Sequence, residues 1–590
     1  MARKQLGGQP STVNVKKEPQ AHMSFAQRAA RSSVRLDGGA TIIFALTLAA
    51  CASRLFSLHE PATPVYDETH VGRFLNWYHE RAFFFDVHGP LAKLLMYWTA
   101  TALGFDGRAT CPYESTTPYA AVCTLAPQRL VPALCGACMV PLTFATCSAM
   151  HLHPFAALLC SYLVLVDTLW IGVSRIHLND MVLMLFIAAT HLFALRACLP
   201  PPPPLLKPHD TKPDDSSDGE AKQSHPNNDD ADLDTSTRGS EALALCATGF
   251  ALGCALQSKY AMALTTLAWL GLQNIMTLCE VAASGAGLGV LFAQAVRRGV
   301  LLLGIPVALH LSLLAVHLAY LPKTGNGDNY LSERFQSTLA GSKHEARFAD
   351  EPPSFLELAM EHLRAQFWYN RNMAILFPRG SHPFDTPWYT WPLAARGIYF
   401  SLVADWQSLA RDVGAKHSFG IFLHPNPMIV LTTTGAVAVA VAFMLARTTA
   451  ALLAPKSVGE ESRLAALGRL ARTMRPGATG SLLVAYLLHW LPYATQDRQT
   501  FLVYYLPAYY FAILIFGRVW HAAVCTYLRP TVAALLSVGL AAWLGRVAWQ
   551  LMPIAYGSSV RLHEWTDALR LASTECWGDE PCWVDVGAVQ

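Results

Sequence analysis

Residues 39–78 read GATIIFALTLAACASRLFSLHEPATPVYDETHVGRFLNWY. The first half, 39–58, is an apolar run of the length, about 20 residues, that a helix needs to cross a bilayer's hydrocarbon core. The second half changes character at a proline-rich turn. From Asp67 to Tyr78 apolar residues recur at helical spacing, with Val71, Phe74, Leu75 and Tyr78 on one face, as in a short amphipathic helix lying in the membrane interface. The acidic pair Asp67-Glu68 therefore falls just beyond a membrane span, at the start of an interfacial helix.

The remaining chain repeats the first half of that pattern. With 590 residues, 53% hydrophobic and 14% charged, it is too apolar for a water-soluble globule. A net charge of +3 gives no basic field suited to nucleic acid. Eleven candidate spans are read, at 39–58, 127–149, 153–173, 178–199, 241–260, 261–279, 299–320, 427–446, 479–495, 501–519 and 528–552, with a turn near Lys259 dividing the fifth from the sixth. The fold class is thus an all-α polytopic membrane protein. A second apolar helix too short to span, 91–103, follows the first interfacial one.

Basic residues set the expected orientation. Arg3, Lys4, Lys16, Lys17, Arg28, Arg31 and Arg35 precede the first span, and Arg447, Lys456, Arg463, Arg469, Arg472 and Arg475 lie between the eighth and ninth. Both groups are expected in the cytosol, which an odd number of spans converts into a C-terminus on the opposite side. The expected organisation is a cytosolic tail (1–38), four spans (39–199) interrupted by the loop 59–126, a disordered cytosolic linker (200–240), spans five to seven (241–320), a long non-cytosolic loop (321–426), spans eight to eleven (427–552) and a C-terminal tail (553–590). The first span lacks a cleavage pattern and is expected to be retained.

Most cysteines, Cys135 and Cys138 among them, sit inside apolar runs as small packing residues, and no second pair stands at metal-ligand spacing. Cys111 with Cys123 and Cys576 with Cys582 lie in polar segments and could each close a disulfide in an oxidising compartment.

Taken alone, Asp67 reads as a helix N-cap with Glu68 favouring the helix dipole. The cations argue for more. Arg129, Lys259 and Arg498 all fall at span ends on the side of the acidic pair. Each alone could simply snorkel to the interface, but cations converging beside a carboxylate suit a lipid-linked phosphate. A carboxylate can accept the proton of an attacking hydroxyl while cations stabilise charge on a departing phosphate, which implies one displacement with inversion.

The segment YDETHVGRFLNWYHERAFFFDVHGPLAKLL (66–95) resembles the first lumenal loop of the protein O-mannosyltransferases, multispan dolichyl-phosphate-mannose-dependent enzymes of the GT-C type. QRLVPALCGACMVPLTF (128–144), SRIHLND (174–180), GFALGCALQSKYAMAL (249–264), GNGDNYLSERFQSTLAGS (325–342), WPLAARGIYF (391–400), IFLHPNPMIV (421–430) and LPYATQDRQTFLVYYLPAYYFAIL (491–514) continue the resemblance in family order. It implies a catalytic Asp67, with Glu68 shaping the pocket beside it. It also implies Arg129, Lys259 and Arg498 at the lipid phosphate, His88 lining the donor site, no obligatory metal or other cofactor, and dimers with a like or related chain. The implied activity is transfer of mannose from dolichyl phosphate to Ser or Thr hydroxyls of polypeptides in the endoplasmic reticulum, with the N-terminus cytosolic and the C-terminus lumenal. A related transferase with another sugar or a non-protein acceptor, and a non-catalytic lipid-phosphosugar binder or transporter, are the competing classes.

Two departures from the family pattern stand out. Eukaryotic members usually insert a β-trefoil of three MIR repeats after the seventh span, and GSKHEARFADEPPSF (341–355) leaves no room for one. Gly89 stands in DVHGP where many relatives have a second proline, which predicts a looser turn. In the 321–426 loop Trp368, His382 and Trp391 are candidates for an acceptor groove or for an interfacial aromatic belt.

Overall fold

The computed structural model describes residues 39–61, 64–107, 125–198, 228–402, 415–416, 420–453 and 470–572, apart from 346, 383, 471 and 558. The N-terminal tail, most of the 200–240 linker, Cys111, Cys123, Cys576, Cys582 and the basic residues Lys456, Arg463 and Arg469 lie outside the described residues.

Helices dominate, and the two segments of the opening stretch appear as α1 (Gly39–Leu55) and α2 (Glu68–Glu80). Among the described residues eight helices are long and apolar enough to cross a membrane, or nine if one bent pair counts as a single span. They include α4 (Leu125–Ala149), α7 (Asp180–Cys198), α8 (Asn228–Ser258), α9 (Tyr260–Ala283), α14 (Pro427–Leu453) and α17 (Pro530–Tyr556). Helices α10 (Leu288–Gly299) and α11 (Ile305–Tyr320), joined through a π-helical turn, form another. The two remaining expected spans are shorter: α1 has 17 residues, and α15 (Thr479–Trp490) stops after 12, giving way to a 3-10 turn containing Pro492. Helix α8 begins at Asn228, so the expected disordered linker ends earlier than 240; extending an existing helix avoids the cost of a new nucleus.

The bent pair is α5 (Pro154–Val166) and α6 (Thr168–Ser174), set at 56°. Buried Asp167 makes the break. Its Oδ1 accepts the Leu169 and Trp170 amides at 3.0 and 3.2 Å, capping α6. Its Oδ2 accepts the Asn426 amide and the Tyr509 hydroxyl, each at 2.9 Å. Helix α16 (Leu506–Trp520) is apolar on every side and buried from Leu506 through Gly517, as the centre of a bundle requires.

The extramembrane segments are tied together by short sheets. Strand β1 (Ala82–Phe84) pairs in parallel with β2 (Lys323–Asn326), linking the loop after α1 to the loop after α11. Strand β3 (Ile398–Leu402) pairs antiparallel with β4 (Gly420–Leu423). Between β2 and α13 (Phe355–Leu376) the described residues form a 3-10 turn, the four-residue α12 (Glu333–Gln336) and a single parallel bridge from Ala340 to Lys323. Helix α13 opens with a Ser354/Glu357 capping box. Its Gln366 donates to the Asp86 carbonyl at 2.9 Å, packing α13 on the 86–90 turn. That turn leads into α3 (Leu91–Ala102), whose Lys93 pairs with Asp86.

Gly89 lies against the end of α8. A Cβ there would meet the Gln257 carbonyl oxygen at 2.4 Å and its Cα at 2.6 Å. The glycine serves a close backbone approach, so the expectation of a looser turn is corrected.

Candidate active site

The acidic pair divides at once. Glu68, the first residue of α2, turns inward and is fully buried. Arg129 grips it with Nε on Oε1 at 2.8 Å and Nη2 on Oε2 at 2.7 Å, a bidentate charge-assisted pair. The Val65 amide donates to Oε2 and the His177 amide to Oε1, each at 2.9 Å. Burial alone would raise the Glu68 pKa, but the Arg129 guanidinium and His177 overcome it and hold the carboxyl well below its ordinary value. Arg129 is also fully buried, and its Nη1 donates to the carbonyls of Leu58 and Pro61 at 3.2 and 2.9 Å. Neither side chain borders the cavity described next. The expectation that Arg129 meets a lipid phosphate and that Glu68 shapes the pocket beside Asp67 is therefore corrected: each spends its charge on the other.

Asp67 points the other way. It occupies the N-cap position but makes no capping hydrogen bond, so the simple capping role fails. Its carboxylate faces a cavity of about 1040 Å³. The protein surrounding that space raises the Asp67 pKa by desolvation, against the pull of His70 and Lys259. Tyr66, His70, His88, Lys259, His382 and Arg498 line the same space, with apolar residues of α9 and α13, including Met262, Leu264, Phe367 and Met373, along another wall.

Lys259 is the single residue between α8 and α9, in extended conformation. Its Nζ donates to Asp180 Oδ1 at 3.0 Å and sits 4.9 Å from the Tyr504 ring centroid. Burial opposes its charge, but Asp180, Tyr504 and Asp67 outweigh that and raise its pKa. Arg498 Nη2 donates to the Tyr504 hydroxyl at 3.1 Å, while its buried Nε has no partner among the described residues. His88 Nδ1 is likewise buried and unpartnered, and burial lowers the His88 pKa to about 3. His88 and Arg498 thus border one cavity with Asp67, and each carries a buried nitrogen without a partner among the described residues.

The acceptor-groove candidates separate as well. His382 lines the cavity. Trp391 does not; it is fully buried, its Nε1 donating to the Thr386 carbonyl at 3.1 Å. Trp368 is 62% exposed on α13 and does not border the cavity, in keeping with the belt alternative, whereas buried Trp391 fits neither expectation and is a correction. Sequence reasoning missed Asp180 and Tyr504, which hold the two cations in place. Asp180 closes the segment SRIHLND and opens a span, where an acid has the look of a cap; its partner Lys259 lies 79 residues further on. Among the described residues no group of three or more His, Cys, Asp or Glu could hold a metal ion.

A helical membrane bundle with a cavity lined by Asp67 and Asp497 and by the cations Lys259, Arg371 and Arg498 fits the multispan glycosyltransferase architecture. The fold is similar to a chain of the Saccharomyces cerevisiae protein O-mannosyltransferase Pmt1-Pmt2 complex bound to the sugar donor, with a TM-score of 0.71 at 17% identity over 94% of both chains. Residues 44–202 and 230–321 match the dolichyl-phosphate-mannose-protein mannosyltransferase family, and 355–574 match the C-terminal four-span region of protein O-mannosyltransferases. The chain belongs to the protein O-mannosyltransferase family. Similar relatives include dolichyl-phosphate-mannose–protein mannosyltransferase 1 of Candida albicans, 27% identical over 58% of this chain, and its Saccharomyces cerevisiae namesake, 27% identical over 59%. The matched region spans 35% and 38% of those relatives' own lengths.

Proposed function

We propose that this chain transfers mannose from dolichyl phosphate mannose to Ser or Thr hydroxyls of polypeptides, in the endoplasmic reticulum membrane, with Asp67 as the general base. The observation that carries the reading is the composition of the cavity: the Asp67 carboxylate, which makes no capping hydrogen bond, shares the lining with the cations Lys259, Arg371 and Arg498. The acceptor oxygen attacks the anomeric carbon, the bond from that carbon to the phosphate oxygen breaks with its electron pair leaving on the phosphate, and the hydroxyl proton passes to Asp67. Attack opposite the leaving group inverts the anomeric centre. Lys259 and Arg498 stabilise the charge arriving on dolichyl phosphate, and His88 lies beside them as a neutral donor or acceptor. The apolar wall from α9 and α13 suits the lipid. Asp67 and the cavity belong on the lumenal side, and the chain pairs with a second copy or a related chain, as the Pmt1-Pmt2 complex suggests.

The test supplies membranes containing the protein with dolichyl phosphate mannose and a Ser/Thr-rich peptide. Asp67→Asn is expected to lower labelling by about 10²- to 10⁴-fold, the range of a positioned general base. Equal labelling would overturn the base assignment, and labelling only with a different lipid-linked sugar or acceptor would overturn the substrate reading.

A further inference from the structure

Five non-glycine residues adopt positive φ among the described residues, and Tyr66 alone of them borders the cavity. Its φ is +52°. A bulky aromatic residue rarely adopts this conformation, and it persists only where its surroundings over-determine it. Here they do. The Tyr66 amide donates to the Phe400 carbonyl at 3.0 Å, and its ring stacks on Phe400 with centroids 4.6 Å apart and planes at 22°. Phe501 meets the same ring edge-on at 5.9 Å. On the far side the Glu68 amide donates to the Val65 carbonyl at 3.0 Å, closing the turn around Tyr66 and Asp67.

The next residue is Asp67, whose side chain makes no cap bond that would aim it. Its direction is set by the backbone, and the backbone by Tyr66. Phe501 follows Arg498 by three residues, and His382 packs edge-on against Phe501 at 5.4 Å.

We propose that Tyr66 is a positioning residue: its ring, clamped between Phe400 and Phe501, holds the left-handed turn that aims Asp67 into the cavity and fixes the carboxylate relative to the Arg498 segment. This rests on Asp67 being the base proposed above. The clamp is an aromatic function, carried by the ring that Phe400 stacks on and Phe501 meets edge-on.

The experiment compares Tyr66→Phe, Tyr66→Gly and Tyr66→Ala in the full-length protein, reading transfer and amide exchange of residues 64–72 separately. Tyr66→Phe, which keeps the ring, is expected to leave exchange across 64–72 unchanged and to retain more transfer than either Tyr66→Gly or Tyr66→Ala. Tyr66→Gly, which tolerates positive φ but has no ring, is expected to lose about 10- to 100-fold in kcat with donor KM within about threefold, because misplacing a reacting group by about an ångström costs that much. Faster exchange across 64–72 is expected for both Gly and Ala. Phe400→Leu should reproduce a milder form of the same loss if Tyr66→Ala fails to fold. Wild-type kcat in Tyr66→Gly, or a loss confined to donor KM, would overturn the proposal. Inactivity of the wild type would break the functional reading, whereas unchanged exchange in Tyr66→Gly would break the clamp alone.

Discussion

Glu68 and Asp67 are adjacent in the chain and opposite in environment. Glu68 is enclosed, with Arg129 and two backbone amides answering its oxygens. Asp67 has an open cavity in front of it and distant cations across that space. The same acid group is thus depressed in pKa on one side of a peptide bond and raised on the other. A carboxylate whose oxygens are all satisfied is a structural post, whereas one held short of partners keeps a lone pair to offer.

The sharpest way to break this contrast is Arg129→Ala, which strands the buried Glu68 charge and is expected to destabilise the fold by about 3–5 kcal/mol. Chemical or thermal unfolding in detergent measures it, and Glu68→Gln in the Arg129→Ala background should recover part of the loss. Full stability with selective loss of donor affinity would instead return Arg129 to the phosphate. Arg498→Gln comes next. It is expected to reduce kcat/KM for the donor by about 10- to 100-fold, corresponding to the ~1.5–3 kcal/mol of a charge-assisted hydrogen bond. Its unfolding midpoint should stay near wild type; a fall as large as that of Arg129→Ala would make Arg498 structural.

The pH responses should also separate. Asp67 must be ionised to accept a proton, so transfer should decline as pH falls through a value above the ordinary 3.8. A raised folded-state pKa means that ionised Asp67 costs stability at neutral pH, so Asp67→Asn should unfold no lower than wild type there. Glu68 has the opposite sign: its contribution is complete above the ordinary carboxylate value of 4.5 and is lost as pH falls toward its depressed one. A stability curve for Glu68→Gln that runs parallel to wild type in acid would contradict this. The smallest effect is expected for Trp368→Ala, within about 0.5 kcal/mol and without change in transfer. A marked loss of peptide labelling would restore that indole to the acceptor path.

Much of the fold could be read from hydropathy, because a membrane span is announced by local composition. The amphipathic face of α2 also appeared as expected, with Val71, Leu75 and Tyr78 buried. What composition could not announce was pairing across the fold. Arg129 and Glu68 are 61 residues apart, and only the packed bundle decides that they consume each other's charge. Lys259 looked like a free cation until α7 brought Asp180 to it. Trp391 resembled an interfacial indole because hydrophobicity does not distinguish a membrane belt from a buried core. The left-handed backbone at Tyr66 left no trace in sequence, since tyrosine carries none of glycine's warning.

The contact between Gly89 and Gln257 acts as a spacer of zero width. Any side chain at this position, alanine's or proline's, would drive its Cβ into the Gln257 carbonyl. Because Lys259 follows Gln257 by only two residues, the strain would be relieved by shifting the end of α8 and carrying the cation with it. A graft that places any larger residue at this turn therefore changes the reach of Lys259 without touching it, so a transplanted loop and the far helix would have to be exchanged as one unit.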